Sequence, residues 1–311
     1  MKNSQEQGLI VGIAVGDALG VPVEFISRNF LKRNPVTDMR GFGTHNQPAG
    51  TWSDDTSLSY CLAETLIEGF ELTRLSKKIE QWYSCNYWTS HGFIFDVGIS
   101  TRSALEKLIR GAKPEHSGEM GEYSNGNGSL MRILPLAFYL QNKPIDVRFE
   151  VVRQVSGITH AHLRSVIACF FAVEFLINLI EIPNKFKAYR RTQNDVRDYV
   201  MHKGIAENEQ ELFLRIFYDE IYELPEEEIY SSGYVIHTLE ASLWAFLSTN
   251  SFEEAVLKSV NLGDDTDTTG SVTGGMAGLF YGIEAIPEHW IAILARKTDV
   301  LYLAEKFGIS F

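Results

Sequence analysis

The chain has three cysteines in 311 residues, Cys61, Cys85 and Cys169, widely spaced and without a C-x-x-C pair. That excludes a disulfide framework and a thiolate metal centre, and it points to reduced thiols in a cytoplasmic protein, none of them catalytic. Basic charge is also short: 28 Lys and Arg against 40 Asp and Glu give a formal net charge of -12. A duplex binder needs a basic face, so no nucleic-acid partner is expected. No sustained apolar/polar alternation marks strands, and no repeat of solenoid period is present. A P-loop and a dinucleotide fingerprint are both missing. No apolar run spans a bilayer comfortably, and no membrane is expected as a partner: Ile167 to Ile182 carries Glu174 and Asn178 and reads as a buried helix. Lys2 before the apolar run Leu9 to Val15 imitates a signal peptide, but Asp17, Glu24 and the lack of a small-residue cleavage pattern argue against export.

What the chain does have is carboxylate in two dense clusters. Gly263-Asp264-Asp265-Thr266-Asp267-Thr268-Thr269-Gly270 packs three acids and three hydroxyls into eight residues, then runs into a small, apolar stretch. Asp265 and Asp267 converge only in a loop or at a helix start, where Thr268 or Thr269 is expected to cap. Gly50-Thr51-Trp52-Ser53-Asp54-Asp55-Thr56 repeats the chemistry ahead of Leu58, Cys61, Leu62 and Leu66, a helical spacing that Gly69 stops. Together the clusters offer four carboxylates and two hydroxyls to one centre. Hard oxygen donors without Cys or His select Mg²⁺ or Mn²⁺, with Ca²⁺ less favoured, over Zn²⁺. Four negative charges suggest two divalent cations rather than one. A shared centre requires the intervening chain to fold back, so residues 1–311 are expected to form a single domain even though the length allows two.

Gly8, Gly12, Gly16 and Gly20 recur every fourth residue, as do Gly270, Gly274, Gly278 and Gly282. Each helical glycine costs up to about 1 kcal/mol, so the stripes imply helices approached at short range, each other being the first candidate partner. Further helices are expected over Leu75 to Trp88, Thr101 to Arg110, Arg164 to Ile182, from Tyr234 through Phe246, and Ile291 to Phe307, with a kink at Pro135. Residues 183 to 230 read as solvated faces and a connecting loop. Asp96 stands among aromatics and glycine, suited to cap a helix or to grip a cationic group. Asn125-Gly126-Asn127-Gly128-Ser129 leads into a helix and forms a cradle of N–H groups suited to phosphate. Of His160 and His162, one is expected as a cap or ligand contact and the other as a bystander.

In their order along the chain, Gly16-Asp17-Ala18-Leu19-Gly20 with Glu24, Ser53-Asp54-Asp55-Thr56, Gly126-Asn127-Gly128-Ser129-Leu130-Met131-Arg132, Ile158-Thr159-His160 and Asp265-Thr266-Asp267-Thr268 resemble the ADP-ribosylglycohydrolase family. The resemblance implies an all-α, single compact helical domain with a binuclear Mg²⁺ or Mn²⁺ site that hydrolyses the bond between ADP-ribose and a protein side chain. Carried over position by position, it makes Ser53, Asp54, Asp55, Asp265, Asp267 and Thr268 the metal ligands. It gives Gly126, Asn127, Gly128, Ser129, Leu130 and Met131 to the diphosphate and ribose, His160 to the ligand, Tyr234 to the adenosine end, and Glu24 to the loop over the metals. Proton transfer falls to Glu24, Asp55 or Asp265, a choice the sequence leaves open. Phe95-Asp96-Val97-Gly98 resembles a segment of the members that activate dinitrogenase reductase, which makes an ADP-ribosyl-arginine linkage the first expectation, with Asp96 facing the guanidinium. ADP-ribosyl-serine, O-acetyl-ADP-ribose and a non-catalytic ADP-ribose binder are the alternatives. Two departures stand out: Ser53 replaces the more usual threonine, and Asp264 the more usual glycine.

Overall fold

The structure, a computed structural model, describes residues 4–311; Lys2 lies outside them. The glycine stripes set its central contact. The helices Ser4–Gly20 and Thr266–Tyr281 run antiparallel, with Gly8, Gly12 and Gly16 facing Gly278, Gly274 and Gly270. A Cβ added to Gly12 would lie 2.2 Å from the Gly274 carbonyl oxygen, and one added to Gly274 would lie 2.2 Å from the Gly12 carbonyl oxygen. The two stripes thus pack on each other and join opposite ends of the chain. At the end of the contact, Gly20 abuts the backbone of Asp267, where a Cβ would come within 2.4 Å. The last turn of one helix is thereby held against the first turn of the other, beside the acidic stretch.

Around this pair pack Val235–Leu247, Phe252–Val260, Asp54–Ile67 and Lys297–Ser310. Leu163–Glu181, buried along nearly its whole length as its composition implies, connects them to Ile145–Gly157 and Lys185–His202. The buried apolar side chains form one continuous cluster. Among the described residues extended pairing is confined to three isolated bridges, so the fold is all-α.

Three expectations change. The segment 183 to 230 is not mainly loop: it opens with the 18-residue helix Lys185–His202, followed by short helices at Glu207–Glu211 and Leu214–Tyr218. The expected last helix is two, Glu288–Ile293 and Lys297–Ser310. Between them the Ala295 amide donates to the Gly50 carbonyl at 2.9 Å, and Arg296 takes a left-handed φ of 47°. Finally, Thr268 and Thr269 do not cap. They lie inside the first turn, where the Thr269 hydroxyl donates to the Asp265 carbonyl at 2.7 Å. Pro135 separates the short helices Leu130–Ile133 and Leu136–Leu140.

Candidate active site

The carboxylates come from four segments. Glu24 follows the 3-10 turn Val21–Val23 at the end of the first helix, and Asp54 and Asp55 open Asp54–Ile67. Asp96 precedes the helix Ile99–Ile109, while Asp265 and Asp267 flank the start of Thr266–Tyr281. Glu24, Asp54, Asp55, Asp96 and Asp265 line one cavity of about 290 Å³, together with Thr268. Carboxylate oxygens of Glu24, Asp96 and Asp267 lie within 4.8 Å of one another.

Local hydrogen bonding aims these groups. Ser53 caps Asp54–Ile67, its hydroxyl accepting the Asp55 amide at 3.2 Å and donating to Asp55 Oδ2 at 3.1 Å. The Thr268 hydroxyl reaches the same oxygen at 3.4 Å. Asn127 Nδ2 donates at 2.8 Å to both Asp265 Oδ2 and the Thr238 hydroxyl. Asp17, fully buried, accepts the Ser53 and Thr56 amides and, at 2.6 Å, the Thr56 hydroxyl. It ties the first helix to the Ser53–Thr56 turn. Glu24 bonds His45.

This much buried acid is electrostatically incomplete. Burial, then repulsion from neighbouring acids, pushes the carboxyls of Asp54, Asp55 and Asp267 well above their ordinary range. Burial likewise raises Glu24 to about 7, the His45 hydrogen bond opposing it. Asp55 Oδ1 and Asp265 Oδ1 are buried and find no hydrogen-bond partner. Among the described residues no lysine or arginine pairs with any of these acids; His45, on Glu24, is the nearest thing to a counter-charge. Unpaired buried carboxylates are costly, and a hard cation with oxygen ligands is what this donor set fits.

The opposite wall is built from glycine. Gly126, Asn127, Gly128 and Met131 line the cavity with His160. A Cβ on Gly128 would fall 2.7 Å from His160 Cε1, so the loop reaches the imidazole only as glycine. Burial pushes His160 down to about 3, with Arg132 adding to the effect, so the ring is neutral. Ser129 and Leu130 stand apart from the other expected ligand residues. Both side chains are fully buried behind the loop, the Ser129 hydroxyl lying 3.3 Å from Cys169 Sγ. Tyr234 lines an adjoining pocket of about 430 Å³ with Tyr123 and Arg164. His162 is no bystander: it caps Leu163–Glu181 by accepting the Arg164 amide. Asp264 is exposed with φ 60°, which explains why glycine suits that position, and it pairs through its backbone with Phe25 and Ile26.

Sequence reasoning gave no role to Asp17 or His45. Asp17 did carry a signal, as the one acid in the apolar stretch from Gly8 to Gly20. His45 carried none, lying in the single 3-10 turn Gly43–His45, whose position only the fold determines.

Fold and site together define an all-α protein with a cation-demanding acidic pocket beside a glycine loop. Residues 3–311 match the family model described as ADP-ribosylglycohydrolase. The chain belongs to the ADP-ribosylglycohydrolase family. It is 35% identical over 303 residues to the ADP-ribosylarginine hydrolase Tri1 of Serratia proteamaculans, covering 96% of this chain and 78% of that one. Identity to the ADP-ribosyl-[dinitrogen reductase] glycohydrolase of Rhodospirillum rubrum is 28%, over 94% of this chain and 90% of the relative. A solved structure titled as an ADP-ribosylglycohydrolase-related protein complex superposes with TM-score 0.79 at 30% identity, covering 99% and 98% of the two chains.

Proposed function

We propose that this protein hydrolyses the N-glycosidic bond of ADP-ribosyl-arginine on modified proteins and releases ADP-ribose. The observation that carries the reading is the cavity itself, in which five acids from four segments, two with orphaned oxygens, face a glycine loop and a neutral histidine. The names of the relatives favour arginine among the linkages. Ser53, Asp54, Asp55, Asp265, Asp267 and Thr268 would hold two Mg²⁺ or Mn²⁺ ions. When bound, such cations neutralise the acids, polarise oxygen ligands and raise the nucleophilicity of water at neutral pH.

The chain's own residues supply the rest. The loop Gly126–Gly128 receives the diphosphate and ribose, and Met131 and His160 close that wall. Tyr234 and Tyr123 flank the adenosine end. Asp96 faces the guanidinium. Water attacks the anomeric carbon as the carbon–nitrogen bond breaks; the water proton passes to a carboxylate and the guanidine leaves protonated. Glu24, on the cavity wall, can take or return that proton, with Asp55 and Asp265 the other candidates for the role. His45 holds Glu24 over the cavity. We place the activity in the cytoplasm, on a protein substrate, with no nucleic acid or membrane required.

The test is release of free ADP-ribose from matched arginine- and serine-linked substrates, with Mg²⁺, Mn²⁺ or chelator, by wild type and Asp267→Ala. Cation-dependent release from the arginine linkage, lost in the variant, is expected. Preference for serine would reassign the linkage, and release of AMP or phosphate would make the protein a phosphohydrolase. Bound cation with no turnover would leave an ADP-ribose binder.

A further inference from the structure

Large apolar side chains ring the mouth of the acidic cavity and stand in solvent. Phe25 is 67% exposed, Phe93 46%, Ile99 90% and Tyr123 fully so. Phe25, Ile99 and Tyr123 border the cavity, and Phe93 borders a crevice that shares Asp54 and Asp96 with it. Single exposed apolar residues are ordinary; four from three segments converging on one opening mark an interaction face.

Two features tie this collar to what enters. Phe25 has a φ of 64°, a left-handed conformation that an aromatic residue rarely adopts, and is held there by its amide donating to the Asp264 carbonyl at 2.6 Å. The ring outside and Glu24 inside are therefore fixed by one turn. Below the collar the wall is acidic, with Glu24, Asp54 and Asp96 facing the opening, on a chain of net charge -12. Such a mouth complements a cationic side chain that rises from an apolar or basic surface. A free conjugate would occupy the cavity and leave the outer faces of Ile99 and Phe93 in water. A folded protein has surface to cover them.

We propose that the collar is the docking face for the folded protein that presents the ADP-ribosylated arginine, packing against apolar residues that flank that arginine. This rests on the arginine-hydrolase reading. The face would turn a general ADP-ribosyl-arginine hydrolase into one that prefers intact protein.

The experiment compares kcat/KM for ADP-ribosyl-arginine and for a folded protein modified on a single surface arginine. It uses wild type, Phe93→Ser, Ile99→Ser, their double variant, and Ile309→Ser on the C-terminal helix as control. Both collar positions are exposed, so the melting temperature should hold. The double variant is expected to lose about ten-fold more on the protein than on the amino-acid conjugate, mainly through KM. Ile99→Leu should keep the wild-type ratio, as should Ile309→Ser. An unchanged ratio in the double variant, or an equal fall on both substrates, overturns the docking face while leaving the hydrolase reading intact. Wild type acting on neither substrate overturns both.

Discussion

Asp17 puts a carboxyl group entirely out of solvent contact, and there it shapes its neighbours. Its carboxyl group gathers the Ser53 amide at 3.0 Å and the Thr56 amide at 3.0 Å, holding the turn that aims Asp54 and Asp55 into the cavity. Asp17→Ala strands those donors in the core, and a loss of about 3 kcal/mol in urea-monitored stability is expected. Cation affinity should fall with it; an unchanged affinity by calorimetry would show that the turn is aimed by something else. The same burial makes the cation-free protein sensitive to pH. Burial raises Asp17 and Glu24 to about 7, while an unfolded carboxyl titrates near ~4. The folded state then binds more protons than the unfolded one between these values, so stability is greatest at the acid end and is lost as pH rises through about 7. With chelator, the melting temperature should fall from pH 5 toward pH 8, and Mn²⁺ should largely flatten the fall. A flat profile in chelator would mean that the acids are already compensated. At this scale the sequence was most legible where acids cluster within a few positions, as at Asp54–Asp55 and Asp265–Asp267. It was mute on His45, whose meeting with Glu24 depends on the whole path between them.

Among the helices, the glycine pair bears most directly on the site, because its register decides which turns meet. Gly12→Ala would drive a methyl to 2.2 Å from the Gly274 carbonyl oxygen, backbone that cannot step aside. Overpacking of this kind costs about 3 kcal/mol or more, and the expected readout is a large fall in melting temperature together with lost cation binding. Gly157→Ala is the control. It ends the helix Ile145–Gly157, and nothing lies within 4 Å of the added Cβ. There the substitution should be neutral or gain up to about 1 kcal/mol. Equal effects at the two positions would show that packing between the stripes is not what the glycines serve. The stripes were readable because a four-residue period has one structural meaning in an apolar helix. Lys185–His202 was not, since charged residues crowd its sequence and its buried face mixes polar Lys185, Thr192 and Gln193 with Ala188, Tyr189, Val196, Tyr199 and Val200. Lys185, counted as a solvated charge, is in fact buried, its ammonium bonding the Phe246 carbonyl at 3.0 Å near the end of Val235–Leu247. Burial pushes it down to about 8. Composition alone cannot reveal a lysine that serves as a helix cap from another segment.

For the whole molecule, the decisive fact is that the cavity belongs to no contiguous part of the chain. Glu24 and Asp265 are separated by most of its length, yet both line one cavity, and the joint between them is the contact of Ser4–Gly20 with Thr266–Tyr281. Opening that contact anywhere would separate the acid clusters and expose the continuous core beneath. Residues 1–311 should therefore melt as one cooperative unit, with no separately stable half despite a length that permits two. Cation binding tests this directly. A ligand held at a hundred times its Kd adds about 2.7 kcal/mol to whatever unit contains its site. If that unit is the entire chain, calorimetry should show a single transition whose calorimetric and van't Hoff enthalpies agree, and Mn²⁺ should shift all of it upward. Asp267→Ala should abolish the shift. If instead the trace splits, with Mn²⁺ moving one part and leaving the other in place, the chain holds two folding units and the glycine contact merely adjoins them. The link from contact to function would then fail too, because acid clusters on separate units could part without unfolding.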